Sequence, residues 1–76
     1  MVTKKARLED TIREWISSGE LATGDMLPSE RTLEAEQDVG RTTVRLVLAK
    51  LAAEGLVKPH HGKGYFVAGP KESSGG

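Results

Sequence analysis

The segment between Gly40 and Gly55 constrains this chain most. Val44, Val47, Leu48 and Leu51 recur there at i, i+3, i+4 and i+7, a spacing that predicts a helix with one apolar face laid on a core. Gly55 stands where a helix C′ glycine would be, and the helix is predicted over about Arg41 to Glu54. At 100° per residue, Arg41, Thr42, Arg45 and Ala49 fall within about a third of a turn on a different face. No acid occurs between Asp38 and Glu54, so that face lacks the alternating charges of an ordinary solvated helix.

The flanking sequence supplies partners for this helix. Ser29 is a predicted N-cap after Pro28, opening a short helix that ends near Gln37. Thr32 stands where Glu or Gln would complete a capping box. Asp38-Val39-Gly40 then makes the turn. Upstream, Leu8, Ile12, Trp15 and Ile16 form an apolar stripe on a helix from about Thr3 to Ser18, closed by Gly19. Glu20 to Pro28 reads as a loop turning at Gly24-Asp25, with Leu21 and Leu27 directed inward. Downstream, Leu56 to Pro59 and Tyr65 to Ala68 read as two short strands joined by His60-His61-Gly62-Lys63-Gly64. Pro59 confines its strand to an edge. Trp15 and Phe66 are expected in the core, and Tyr65 partly exposed.

Seventy-six residues allow one small domain, expected over residues 1–69. Residues 70–76, with Pro, Lys, Glu, Ser and Gly and nothing to bury, are expected to form a flexible tail or the start of a linker. No apolar run approaches the roughly 20 residues of a membrane span. Cysteine is absent, which excludes disulfides and thiolate chemistry and suits a cytoplasmic protein. The expected class is mainly α with a small β-hairpin.

Net charge is zero, but the charges are segregated. Residues 1–28 carry −1 and residues 29–40 carry −3, whereas residues 41–71 hold six basic residues against Glu54 alone, a net of +5. Screening beyond roughly 8 Å at physiological salt makes the local field decisive. A helix entering a DNA groove needs long donors for phosphates and guanine edges, with small neighbours that let its backbone approach. Arg41, Thr42 and Arg45 provide that combination. Arg31, in the first turn of the short helix, sits where the dipole disfavours a cation; either Glu34 pairs with it or it contacts a phosphate or a base edge. Gly62-Lys63-Gly64 is too short for a P-loop, and as a hairpin tip it could bring Lys63 to a minor groove. Adjacent His60 and His61 point to opposite strand faces and lack further ligands, so no metal and no cofactor are expected. Ser29 has no evident His and acid partners, and no enzyme is expected. The reading requires that the guanidinium groups of Arg41 and Arg45 project outward and are not locked to carboxylates on the preceding helix.

The residues Gly19-Glu20-Leu21, Gly24-Asp25, Leu27-Pro28-Ser29-Glu30-Arg31, Arg41-Thr42-Thr43-Val44-Arg45, Glu54-Gly55-Leu56 and Gly62-Lys63-Gly64-Tyr65-Phe66-Val67 resemble the N-terminal domain of GntR-family bacterial transcription regulators. The likeness covers about Leu8 to Ala68. Ala35-Glu36 followed by Asp38 leans toward the HutC-like branch. The resemblance implies a winged helix-turn-helix of three helices and a two-stranded wing that binds double-stranded DNA, commonly as a repressor. Its DNA contacts would fall on Arg31, Arg41, Thr42, Thr43, Arg45, His61, Gly62, Lys63 and Gly64. It further implies a homodimer on a palindromic operator, no membrane, and a small-molecule effector acting through a separate C-terminal domain absent here. The isolated domain would be a weakly binding monomer. Glu34, Gln37, Gly40 and Leu46 depart from the pattern: small, large apolar, hydroxyl and Glu residues are usual there. An alternative is a winged helix used for protein–protein contact, with Leu46 as its anchor. A single-strand RNA binder is a third, with little aromatic surface to stack on.

Overall fold

The computed structural model describes residues 3–69; Met1, Val2 and the tail expected over 70–76 lie outside the described residues. Its elements follow in the order α1 (Lys4–Ser17), α2 (Glu30–Gln37), α3 (Arg41–Ala53), β1 (Val57–His60) and β2 (Gly64–Val67). This is a winged helix-turn-helix.

Each helix end has a local cause. The Thr3 side chain accepts a bond from the Ala6 N–H at 3.0 Å and starts α1. Ser29 Oγ accepts from the Thr32 N–H at 3.1 Å and donates to Thr32 Oγ1 at 3.0 Å, so the threonine engages the cap without a carboxylate. Asp38 ends α2 in the left-handed region at φ 55°, a conformation that a short polar residue tolerates. Gly40 caps α3 without a side-chain bond, as its lack of a hydroxyl requires. Gly55, at φ +84°, turns the chain out of α3 toward the wing.

α3 lies at the centre. It packs against α1, α2 and β1, and its Val44, Val47, Leu48 and Leu51 are all buried. Leu8 and Ile12 of α1, Leu27 of the loop, Leu33 of α2, and Val57 and Val67 of the wing complete the core. α2 buries only Leu33, leaving Glu34 and Gln37 half-buried at positions where the expected family pattern has small and large apolar groups.

The wing differs from expectation in which ring faces inward. β1 and β2 pair antiparallel with Val57 opposite Val67, Lys58 opposite Phe66 and Pro59 opposite Tyr65. Cross-strand partners share a face. Because Val57 and Val67 are buried, Tyr65 points to the core side and packs against it, while Phe66 lies on the outer face with Lys58. Phe66 was expected inside and is instead half-buried against His60, ring centroids 5.9 Å apart and edge-on. Trp15, also expected in the core, is half-buried at its margin.

The loop before α2 is more ordered than its glycine and aspartate suggest. Met26 bridges to Phe66, the Leu27 N–H donates to Tyr65 O at 2.9 Å, and the Val67 N–H donates to Asp25 O at 2.8 Å. This segment therefore covers one side of β2. β1 is left as the outer strand, where Pro59 removes no ladder bond.

A second tie joins α1 to α3. Arg13 donates to both oxygens of Glu54, at 2.7 and 2.8 Å, and to Glu9 at 2.6 Å; Lys50 reaches Glu9 at 3.2 Å. The Arg13 guanidinium is the main cause holding the carboxyls of Glu9 and Glu54 below their ordinary value of 4.5, and Lys50 adds to it. Their stabilising contribution is complete above that ordinary value and is lost as pH falls through the lowered folded values. Urea unfolding followed from neutral to acid pH should therefore show stability declining below about pH 4.5, and Arg13→Ala should flatten that decline. An equally steep profile in the variant would remove the network from the account. Leu51→Ala should cost about 2–5 kcal/mol in the same assay at neutral pH; a cost below about 1 kcal/mol would mean the α3 face is not tightly packed.

Candidate nucleic-acid interface

With its apolar stripe held in the core, α3 presents its other side to solvent. Arg41, Thr42, Arg45, Leu46 and Ala49 are all exposed. Thr43 is half-buried, on the same side of the helix as the buried Val47 one turn later. It is therefore the predicted contact least available to a ligand.

The cations differ in how free they are. Arg41 and Arg31 are exposed and make no ion pair among the described residues. The Glu34 pairing considered for Arg31 does not form. Arg45 departs from the requirement set by the sequence. Its Nε donates to Glu30 Oε1 of α2 at 3.3 Å, so a carboxylate on the preceding helix does engage it. That contact is long and made through Nε alone, and the arginine side chain is 60% exposed. An exposed ion pair of this kind contributes only about 0–1 kcal/mol, less than the roughly 1–3 kcal/mol of a bidentate arginine–guanine contact. Arg45 is thus restrained rather than sequestered, and the contact places it beside the first turn of α2, where Arg31 is the next residue.

The wing tip is a separate element. The Lys63 N–H donates to His60 O at 2.8 Å, closing a four-residue turn in which Gly62 adopts φ +75°. A left-handed third position is what a type II turn requires, and glycine takes it without a Cβ penalty. His61, Gly62, Lys63 and Gly64 are all exposed, and Lys63 has no carboxylate partner among the described residues. No ion pair among those residues joins the tip to the front of α3; the two are linked through Val57 and Val67 at the base of the wing.

Two relevant residues were not anticipated. Glu30 was not foreseen as Arg45's partner, because the pair is fifteen positions apart in sequence and only the α2–α3 packing brings it together. Lys58 is exposed on the outer face of the wing, in line with His60 two residues later. Strand alternation could have marked it once the register was known. In the other direction, Lys50, counted within the basic segment, is turned toward Glu9 of α1 and contributes little to this surface.

Comparison with known proteins agrees with this architecture. The family described as bacterial regulatory proteins, gntR family, matches residues 4–67. The mannosyl-D-glycerate transport/metabolism system repressor MngR of Escherichia coli (strain K12) is 41% identical over 61 residues, covering 80% of this chain and 25% of that protein. The transcriptional repressor NanR of Klebsiella aerogenes is 41% identical over 63 residues, covering 83% of this chain and 24% of that protein. The chain therefore spans about a quarter of these curated relatives. Among solved structures, the AraR DNA-binding domain in complex with operator ORE1 superposes with a TM-score of 0.85 at 32% identity, covering 90% of this chain and 83% of that one. YydK of Bacillus subtilis, described as a possible transcriptional regulator, superposes at 0.79 with 30% identity, covering 92% of this chain and 31% of that one. The winged helix-turn-helix described here belongs to the GntR family of bacterial regulatory proteins.

Proposed function

We propose that this domain binds double-stranded DNA in a sequence-specific manner as the reading head of a bacterial transcription regulator, most simply a repressor. The observation that carries the proposal is the front of α3, where Arg41, Thr42 and Arg45 are exposed together above a fully buried opposite face. α3 would enter the major groove, with Arg45 and Arg41 donating to guanine edges and phosphates and Thr42 packing close. Thr43 would serve phosphate at the flank. Arg31 would meet the backbone beside α2, and His61, Gly62, Lys63 and Gly64 would approach the minor groove. Two structural neighbours are operator complexes, the AraR DNA-binding domain with ORE1 and with ORX1, which supports the reading that this domain binds duplex DNA.

Several finer features belong to the same proposal. Residues 1–69 are the DNA-binding unit, and 70–76 are a tail or the start of a linker to an effector domain that senses a small molecule. Two copies pair on a palindromic operator with half-sites about one helical turn apart. Lone domains bind weakly, because the second contact set and its effective concentration are missing. The cytoplasm is the compartment that fits a DNA reader; among the described residues no helix is long and apolar enough to cross a membrane. The HutC-like branch is supported by Ala35-Glu36 and Asp38 alone.

Zero net charge does not oppose this function. Carboxylates on the α1 side take up Arg13 and Lys50, whereas Arg31, Arg41 and Lys63 have no carboxylate partner among the described residues and are available to phosphate.

Arg45→Ala should weaken binding to a selected operator by about 1–3 kcal/mol and relax preference at one base position. Unchanged affinity and selectivity in a titration would show that Arg45 reads nothing. Lys63→Ala should weaken all duplexes alike and lower the slope of log affinity against log salt by about one. A slope equal to that of the parent chain would take the wing tip off the DNA.

A further inference from the structure

Resting on the DNA-binding reading above, we infer that Leu46 is a specificity-determining residue that receives the C5-methyl group of a thymine in the major groove. The rotation of α3 leads to this assignment. Val44, Val47, Leu48 and Leu51 define the buried direction, and at 100° per residue the opposite direction is shared by Thr42, Leu46, Ala49 and Ala53. All four are exposed, Leu46 by 53%. Arg41 and Arg45 flank this strip on one side; Lys50 flanks it on the other but is drawn toward Glu9. Leu46 therefore lies closer to the centre line of the groove-facing surface than either arginine.

The chemistry of the side chain then selects its counterpart. Leucine has no donor or acceptor, and the major-groove edge of a base pair offers one distinctive apolar group, the thymine methyl. Thr42 and Ala49, one turn before and nearly one turn after, are short enough to let the leucine tip reach it. The surroundings also argue against a protein partner at this point. The large hydrophobic residues exposed among the described residues are Leu46 and Met26, and Met26 belongs to the loop bridged to Phe66 rather than to α3. A single apolar side chain between threonine, alanine and arginine fits one methyl group better than the buried cluster at the centre of a protein interface.

The test begins with selection of bound sites from a random duplex library by the 76-residue chain. Each thymine of the selected half-site is then replaced by uracil, which differs only in lacking the methyl group. Replacement at one position should weaken the parent chain about fourfold, the worth of one buried methyl. Leu46→Ala should weaken binding to the thymine site by a similar factor and be insensitive to uracil there. Matching thermal melts of the two chains would establish that the variant is folded, as expected for an exposed position. The inference is overturned if no uracil replacement affects the parent chain, if Leu46→Ala loses as much affinity for the uracil site as for the thymine site, or if the selected half-site lacks thymine. It is equally overturned if Leu46→Ala keeps full duplex affinity and loses a protein contact instead. A parent chain that enriches no sequence would defeat the DNA-binding reading itself, whereas an enriched site indifferent to the methyl group would defeat only the role of Leu46.

Discussion

Val44, Val47, Leu48 and Leu51 are buried among α1, α2 and β1, and this burial fixes the rotation of α3 about its own axis. Each such side chain contributes roughly 1.5–3 kcal/mol when removed from water. Turning the helix by one residue would swing a polar neighbour such as Thr43 toward the core and expose part of the apolar stripe. The outward direction of Arg41, Thr42, Arg45 and Leu46 is therefore a consequence of packing on the far side of the same helix. The exposed side of α3 is thus oriented from within, and among the described residues its one ion pair at this front is the long Arg45–Glu30 contact.

Electrostatics divides the molecule along similar lines. Arg13, Glu9, Lys50 and Glu54 form a mutually satisfied group between α1 and α3, and Lys4 pairs with Asp38 at 2.9 Å. Those charges stabilise or orient helices. Arg31, Arg41 and Lys63 make no such pairs among the described residues. Arg45 is intermediate: its Nε donates to Glu30 Oε1 of α2 at 3.3 Å while its side chain stays 60% exposed, an ion pair weak enough for a competing anion to displace.

Much of this was legible in the residues. The helical spacing of Val44 to Leu51, the cap at Ser29, the turn after Gln37 and the glycines at 19 and 55 predict α1 to α3 within a residue or two, because each signal is local. Nearly all predicted contact residues are exposed, and Thr43 alone is half-buried. What could not be read was non-local. Phe66 is on the outer face rather than in the core because the inward face of a short strand is set by its register, here by Val57 opposite Val67, whereas Tyr65 is partly exposed as expected. The pairing of residues 25–27 with β2 and the Arg45–Glu30 bond depend on segments distant in sequence. Segment charge likewise overstated Lys50, whose direction is decided by α1.

The central claim is that the solvent side of α3 and the tip of the wing form one surface for duplex DNA. Amide and side-chain NMR shifts recorded while duplex is added to the chain test it most directly. The account predicts that perturbations concentrate at Arg41, Thr42, Arg45 and Leu46, at Arg31, and at His61 to Gly64, fading as salt is raised. Shifts confined to the surface around Arg13, Ile16 and Leu56, or no shifts at low salt, would contradict it.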